Sequence, residues 1–210
     1  MKGELFNTDM VRALLGGRKT RTSRPIKLKY NNTHFEFRTD KYGTEFVEMQ
    51  NNVEGETWGK NPDGSIWQNI LGYTVPKHKY AIGDIMYVRE TWCAAYDGEA
   101  YFYFADRQTK REQKQLLDYY DVRWHPSIHM PKEAARMFFR VTDVKVQNIA
   151  DITEEDAVAD GFQDEVMEPN FSRYLAKNVF GDFWEDQYGK DMPWMWVYYL
   201  KLISREEALG

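Results

Sequence analysis

The chain has 210 residues, a net charge of −5 and one cysteine, Cys93. That length suits one domain with a substantial core, and a lone cysteine excludes an internal disulfide framework and a cysteine-built zinc site. The opening MKGELFNTDM has no apolar signal core, and the densest late apolar run, Trp194 to Leu200, is too short to span a bilayer, so a soluble, cytoplasmic protein with no membrane partner is expected.

In chain order, Leu5 and Phe6 begin a short extended entry. Asn7 or Thr8 can cap a helix whose apolar positions Met10, Val11, Leu14 and Leu15 follow helical spacing, and Gly16 and Gly17 end it. Residues 18 to 24 read as a turn leading into a strand stopped by Pro25. Residues 30 to 78 form a distinct segment, with short aromatic pieces separated by turn signals (Asn51-Asn52, Asn61 to Gly64); it reads as an insertion of small hairpins, a candidate lid.

From Ile82 the chain turns β-rich. Strands are expected around Met86 to Val88, at Ala100 to Ala105 after the Asp97-Gly98 turn, and at Met137 to Val146. Residues 106 to 121 read as a loop or short helix. A helix follows at ITEEDAVADGF, with Thr153 as cap, Asp156 completing a capping box and Gly161 as the stop. A helical region over 171 to 188 and a strand over Trp194 to Ile203 complete the chain. This order predicts one α+β domain over 1–210: a mixed β-barrel flanked by a few helices, with the insertion at about 30–78.

Seven basic residues and no acid fall between Arg12 and Lys29. Such a cluster on an acidic chain points to an anionic or electron-rich ligand. Within it, Lys19, Thr20 and Thr22 are residue types that serve acyl transfer. Neighbouring Arg18, Arg21 and Arg24 favour the neutral form of Lys19, which a base requires. Residues three apart on a regular strand face opposite ways, so Lys19 and Thr22 share a cleft only if the segment begins as a turn. Glu90 and Trp92 are candidates to present a carboxylate and a stacking face to a base, although Trp92 equally suits a core. Ser127 and His129 are candidate pocket residues; they lack the third residue of a nucleophile–base pair. His125 and His129 have zinc-like spacing, but Pro126 and Pro131 break the helix it needs, and no metal or cofactor is expected.

The phrase GRKTRTSR resembles the G-x-K-T-x-T-x-R phrase near the start of the ASCH family, a PUA-like β-barrel group. GDIMYVRETW, WHPSIHMPKEAARMFFRVTDVKV, DITEEDAVADGF and PWMWVYYLKL are similar to phrases of larger ASCH proteins common in phages and prophages; the 30–78 insertion is outside the resemblance. The resemblance implies a PUA-like barrel with a cleft for a nucleobase or nucleoside, and the metal-free amidohydrolase activity of small members that deacylate N4-acetylcytidine. It places the catalytic lysine at Lys19, the threonine at Thr22 and the acid at Asp160, where the family usually carries Glu; Glu154 and Glu155 are fallback acids. Arg21, Arg24, Glu90, Trp92, Ser127 and His129 are the expected substrate-binding residues. The alternative is a module that binds single-stranded RNA or a modified base without catalysis, using the basic cluster for phosphates.

Overall fold

The computed structural model describes residues 1–27, 33–40, 43–50, 58–60, 66–68, 76–95, 98, 100–167, 172–191 and 193–210. The turn signals at 51–52 and 61–64, and Asp97 of the Asp97-Gly98 turn, lie outside the described residues. The strands are β1 (Lys2–Leu5), β2 (Arg21–Pro25), β3 (Thr33–Asp40), β4 (Gly43–Gln50), β5 (Trp58–Lys60), β6 (Ile66–Gln68), β7 (Ile85–Arg89), β8 (Trp92–Ala94), β9 (Tyr101–Tyr103), β10 (Phe138–Asn148), β11 (Glu165–Met167), β12 (Ser172–Tyr174) and β13 (Trp194–Ile203). The helices are α1 (Thr8–Leu15), α2 (Lys110–Tyr120), α3 (Glu154–Ala159), α4 (Ala176–Tyr188) and α5 (Arg205–Leu209).

Local signals set the two helices that matter for the site. Asn7 caps α1, its side chain accepting the Met10 N–H at 2.8 Å, and the chain leaves through Gly17 at φ 71°. Thr153 and Asp156 form the capping box of α3, each satisfying a backbone N–H of the other, and Gly161 turns the chain at φ 103°. Such a cap stabilises a helix end by about 1 kcal/mol.

A five-stranded mixed sheet in the order β1-β7-β10-β13-β2 organises the chain. β1 runs parallel to β7, and the other neighbours are antiparallel. The long β10–β13 ladder is the spine, with Phe138 opposite Ile203 and Asn148 opposite Trp194, and a register shift between Val141 and Asp143. Alternation along β13 divides the core. Tyr198 and Leu200 join Val11 and Leu14 of α1 on one face, while Met195 and Val197 join Phe180 and Trp184 of α4 on the other.

The expected closed barrel does not form. No ladder joins β1 to β2, and these short strands are the two edges of the sheet. The edges nevertheless approach each other, because Arg24 of β2 donates from Nε to Glu4 Oε1 of β1 at 2.7 Å. The sheet is therefore curled, with side chains rather than backbone bonds bridging its open seam.

One other expectation holds among the described residues and one changes. The inserted segment contains hairpins, β3 with β4 and β5 with β6, and Phe46 of β4 packs 5.0 Å from the Trp194 ring. The region read as helical over 171 to 188 starts instead with β12, paired to β11; α4 begins at Ala176. Carboxylates of Glu154 and Asp164 fix that start by accepting the Ala176 N–H at 2.8 and 2.9 Å.

Candidate active site

Lys19 lies in the turn between α1 and β2, where its backbone N–H donates to the Ala13 carbonyl at 3.0 Å. It is therefore free of the strand alternation that would have set it opposite Thr22. Thr22 lies within β2, opposite Tyr198. Asp160 follows α3. All three line one cavity of about 500 Å³ at the seam between β1 and β2, a volume within the range of small-molecule sites. Its apolar wall comes from α4 and the turn after α3, through Phe162, Phe180, Phe183, Trp184 and Tyr188. Among the described residues, the hairpins of the inserted segment do not line it.

Asp160 is 2% exposed and its carboxylate is saturated. Oδ1 accepts from Lys19 Nζ at 3.2 Å and from the Ser23 N–H at 3.0 Å; Oδ2 accepts from Arg21 Nε at 2.8 Å and Ser23 Oγ at 2.7 Å. Burial alone would raise its pKa, but Lys19, Arg21 and the Ser23 bond outweigh burial and hold it below the usual carboxylate range. An ionised carboxylate with four donors anchors its neighbours and has no proton to pass on.

Lys19 is 4% exposed and donates to the Asp160 carbonyl at 2.6 Å as well as to Oδ1. Burial pushes its pKa down to about 8; the Asp160 charge opposes that shift, and Arg24 and Arg21 assist it. A neutral amine keeps two N–H donors, enough for both Asp160 contacts, and gains a lone pair. Phe6 lies beside the lysine, its ring centroid 5.7 Å from Nζ and 5.5 Å from the Arg24 guanidinium. Arg24 Nη1 donates to Thr22 Oγ1 at 2.9 Å, which leaves the threonine hydroxyl hydrogen available to a base.

Glu4 is a charged cavity residue that the sequence reading missed. Its carboxylate takes Arg24 on one oxygen and Lys79 Nζ (2.6 Å) and Tyr80 OH (2.8 Å) on the other. Burial raises its pKa, but Arg24 and Lys79 prevail and keep it lowered. Its sequence signal was an acid two positions before Phe6, where strand alternation points it inward with the ring.

Lys19, Arg21 and Arg24 of the basic cluster are neutralised by acids from elsewhere in the chain. Lys19 and Arg21 pair with Asp160, Arg21 also with Asp156, and Arg24 with Glu4. These paired charges help hold the fold together. The four charged side chains on the cavity wall, Glu4, Lys19, Arg24 and Asp160, sum to zero when all are ionised.

The other expected binding residues fall elsewhere. Arg21 is 1% exposed and lies behind Asp160, bonded also to Gln147. Glu90 is buried in a fork with Arg136, both bonds at 2.9 Å, and burial raises its pKa despite that partner. Trp92 packs against Tyr101 and His125. Ser127 and His129 form a 3-10 turn on the surface. None of these lines the cavity, because β7 carries Glu90 away from the seam and residues 92–129 pack on another flank. Of the fallback acids, Glu154 caps α4 and Glu155 is exposed. Among the described residues no cluster of His, Cys, Asp or Glu is arranged to hold a metal, and no helix is long and apolar enough to cross a membrane.

The fold and cavity define an α+β chain with a charged, polar cluster at the seam of a curled sheet. No protein-family model matches the chain, and no curated protein or solved structure matches it.

Proposed function

We propose that the seam cavity hydrolyses the acyl amide of N4-acylated cytosine nucleosides, as the resemblance to the ASCH amidohydrolases implies. The observation that carries this reading is the convergence on one cavity of a buried lysine of lowered pKa and a threonine hydroxyl polarised by an arginine. The aromatic-walled cavity suits a planar base.

In this reaction the neutral Lys19 amine takes the Thr22 hydroxyl proton as Oγ1 attacks the acyl carbon. Negative charge develops on the acyl oxygen, and Arg24, the cation beside Oγ1, stabilises it. The tetrahedral adduct collapses by breaking the C–N bond, and the Lys19 ammonium returns its proton to the cytosine N4. Water then hydrolyses the threonine ester to release the acid, with Lys19 again as base. The amino group leaves readily because its lone pair delocalises into the ring. Asp160 acts as a positioning residue that fixes Lys19.

A second reading has an observation in its favour: two of the three Lys19 ammonium hydrogens already bond to Asp160, as in a purely structural lysine. The cavity would then bind a modified base without cutting it. Mass spectrometry after rapid mixing with N4-acetylcytidine separates the two. An acetyl adduct on Thr22 supports catalysis, and binding with no adduct and no cytidine supports the module.

A further inference from the structure

The site has a second lobe. A neighbouring cavity of about 520 Å³ shares Asn7, Met10, Phe162 and Phe183 with the first. The boundary runs along three consecutive residues: Asp160 faces the first lobe, Gly161 the second and Phe162 both. A Cβ at Gly161 would stand 3.0 Å from Met10 Sδ and 3.3 Å from Lys19 Cδ, so the backbone passes directly against the lysine. A ligand whose reacting bond lies at Lys19 therefore has one end beside the second lobe.

Arg18 lines that lobe, and of the cations at positions 18 to 24 it alone lacks a carboxylate partner among the described residues. Among the described residues its guanidinium hydrogen-bonds only the Gly161 carbonyl, from Nε at 3.4 Å and Nη2 at 3.3 Å, both near the outer limit of a hydrogen bond. Arg12, on the same wall, is committed to the Ala105 and Arg107 carbonyls and to Asp9. Two acids face the lobe: Asp9 is engaged by Arg12, and Glu165 is exposed. One half-buried, uncommitted planar fork suits one planar or tetrahedral anion, which it binds through two parallel bonds.

We propose that the second lobe is a subsite for one anionic group on the substrate, received by Arg18. This rests on reading the first lobe as an acylated-nucleoside site. The anion is either a phosphate on the sugar or a carboxylate at the far end of the acyl group, and a single free guanidinium limits it to one such group rather than a phosphate chain.

The test compares N4-acetylcytidine, its 5′-monophosphate and N4-succinylcytidine in kcat/KM, with wild type and Arg18→Gln. The proposal expects one charged substrate to exceed the neutral one by about tenfold, the scale of a charge-assisted hydrogen bond. Arg18→Gln should erase that advantage, and Glu165→Gln should enlarge it by removing the opposing charge. Whichever charged substrate gains identifies the source of the anion. Equal values for all three, or an advantage that survives Arg18→Gln, would overturn the subsite. Tryptophan-fluorescence titrations with the same three compounds separate this from the catalytic reading. Arg18-dependent tightening without turnover retains the subsite and rejects hydrolysis; turnover without tightening or preference does the reverse.

Discussion

Glu4 and Arg24 stand on the two unpaired edges of the sheet and join them through a 2.7 Å bond, and Arg24 in turn donates to Thr22. Glu4 also receives Lys79 and Tyr80, the first residues after the inserted segment. One carboxylate thus fixes the seam and the hydroxyl beside it. Glu4→Gln keeps the shape but loses the charge holding Arg24. We expect kcat to fall by about tenfold with KM little changed, the loss of roughly one charged hydrogen bond made in the transition state. Steady-state kinetics on N4-acetylcytidine checks this, and an equal loss in KM alone would assign Glu4 to binding.

Among the described residues Asp160 is the carboxylate partner of Lys19, and it is shared with Arg21. Asp160→Asn leaves the buried lysine without its counter-charge. Breaking a buried pair from one side costs about 3–5 kcal/mol. Urea unfolding should show a loss on that scale, far above the value for a surface acid such as Glu155→Gln.

The lowered pKa of Lys19, about 8, sets two pH dependences. Turnover should rise with pH through about 8 and then level, as the amine becomes available as a base. Unfolded Lys19 titrates near 10.4, so between about 8 and that value the unfolded chain binds more protons than the folded one. Stability contributed by this group therefore increases with pH across that window, and its burial penalty is fully present below pH 8. Urea midpoints of wild type and Lys19→Met across the window measure the slope, which the variant should lack.

Gly161 adopts φ 103°, and an added Cβ would meet Met10 Sδ at 3.0 Å and Ala13 Cβ at 3.1 Å. Gly161→Ala should cost on the order of 1–3 kcal/mol through backbone strain. It should also reduce turnover by displacing Lys19. Thermal unfolding and kinetics on the same sample report both effects.

The parts legible in the sequence were those with local causes. Asn7, the Thr153–Asp156 box, Gly17 and Gly161 fixed where α1 and α3 start and stop, and the glycines after α1 placed Lys19 in a turn rather than a strand. The parts that were not legible depend on contacts far apart in the chain. Lys19 and Asp160 are 141 positions apart, and nothing near Arg21 announces that Asp156 and Asp160 will neutralise it. The acidic partners are scattered while the cations are clustered, so the charge balance of the cavity emerges only on folding. Glu90, Trp92, Ser127 and His129 carry suitable chemistry, but only the sheet order shows that they lie away from the seam.

The central claim is that Lys19 and Thr22 cut an acyl amide in this cavity. The most direct measurement is cytidine release from N4-acetylcytidine, with chelator present, by wild type, Lys19→Met, Thr22→Val and Thr22→Ser. The account predicts release by wild type, loss of at least a hundredfold in the first two variants, on the scale of general-base catalysis, and partial retention in Thr22→Ser, which keeps a hydroxyl. Undiminished release in Lys19→Met and Thr22→Val, or none from folded wild type, would contradict it.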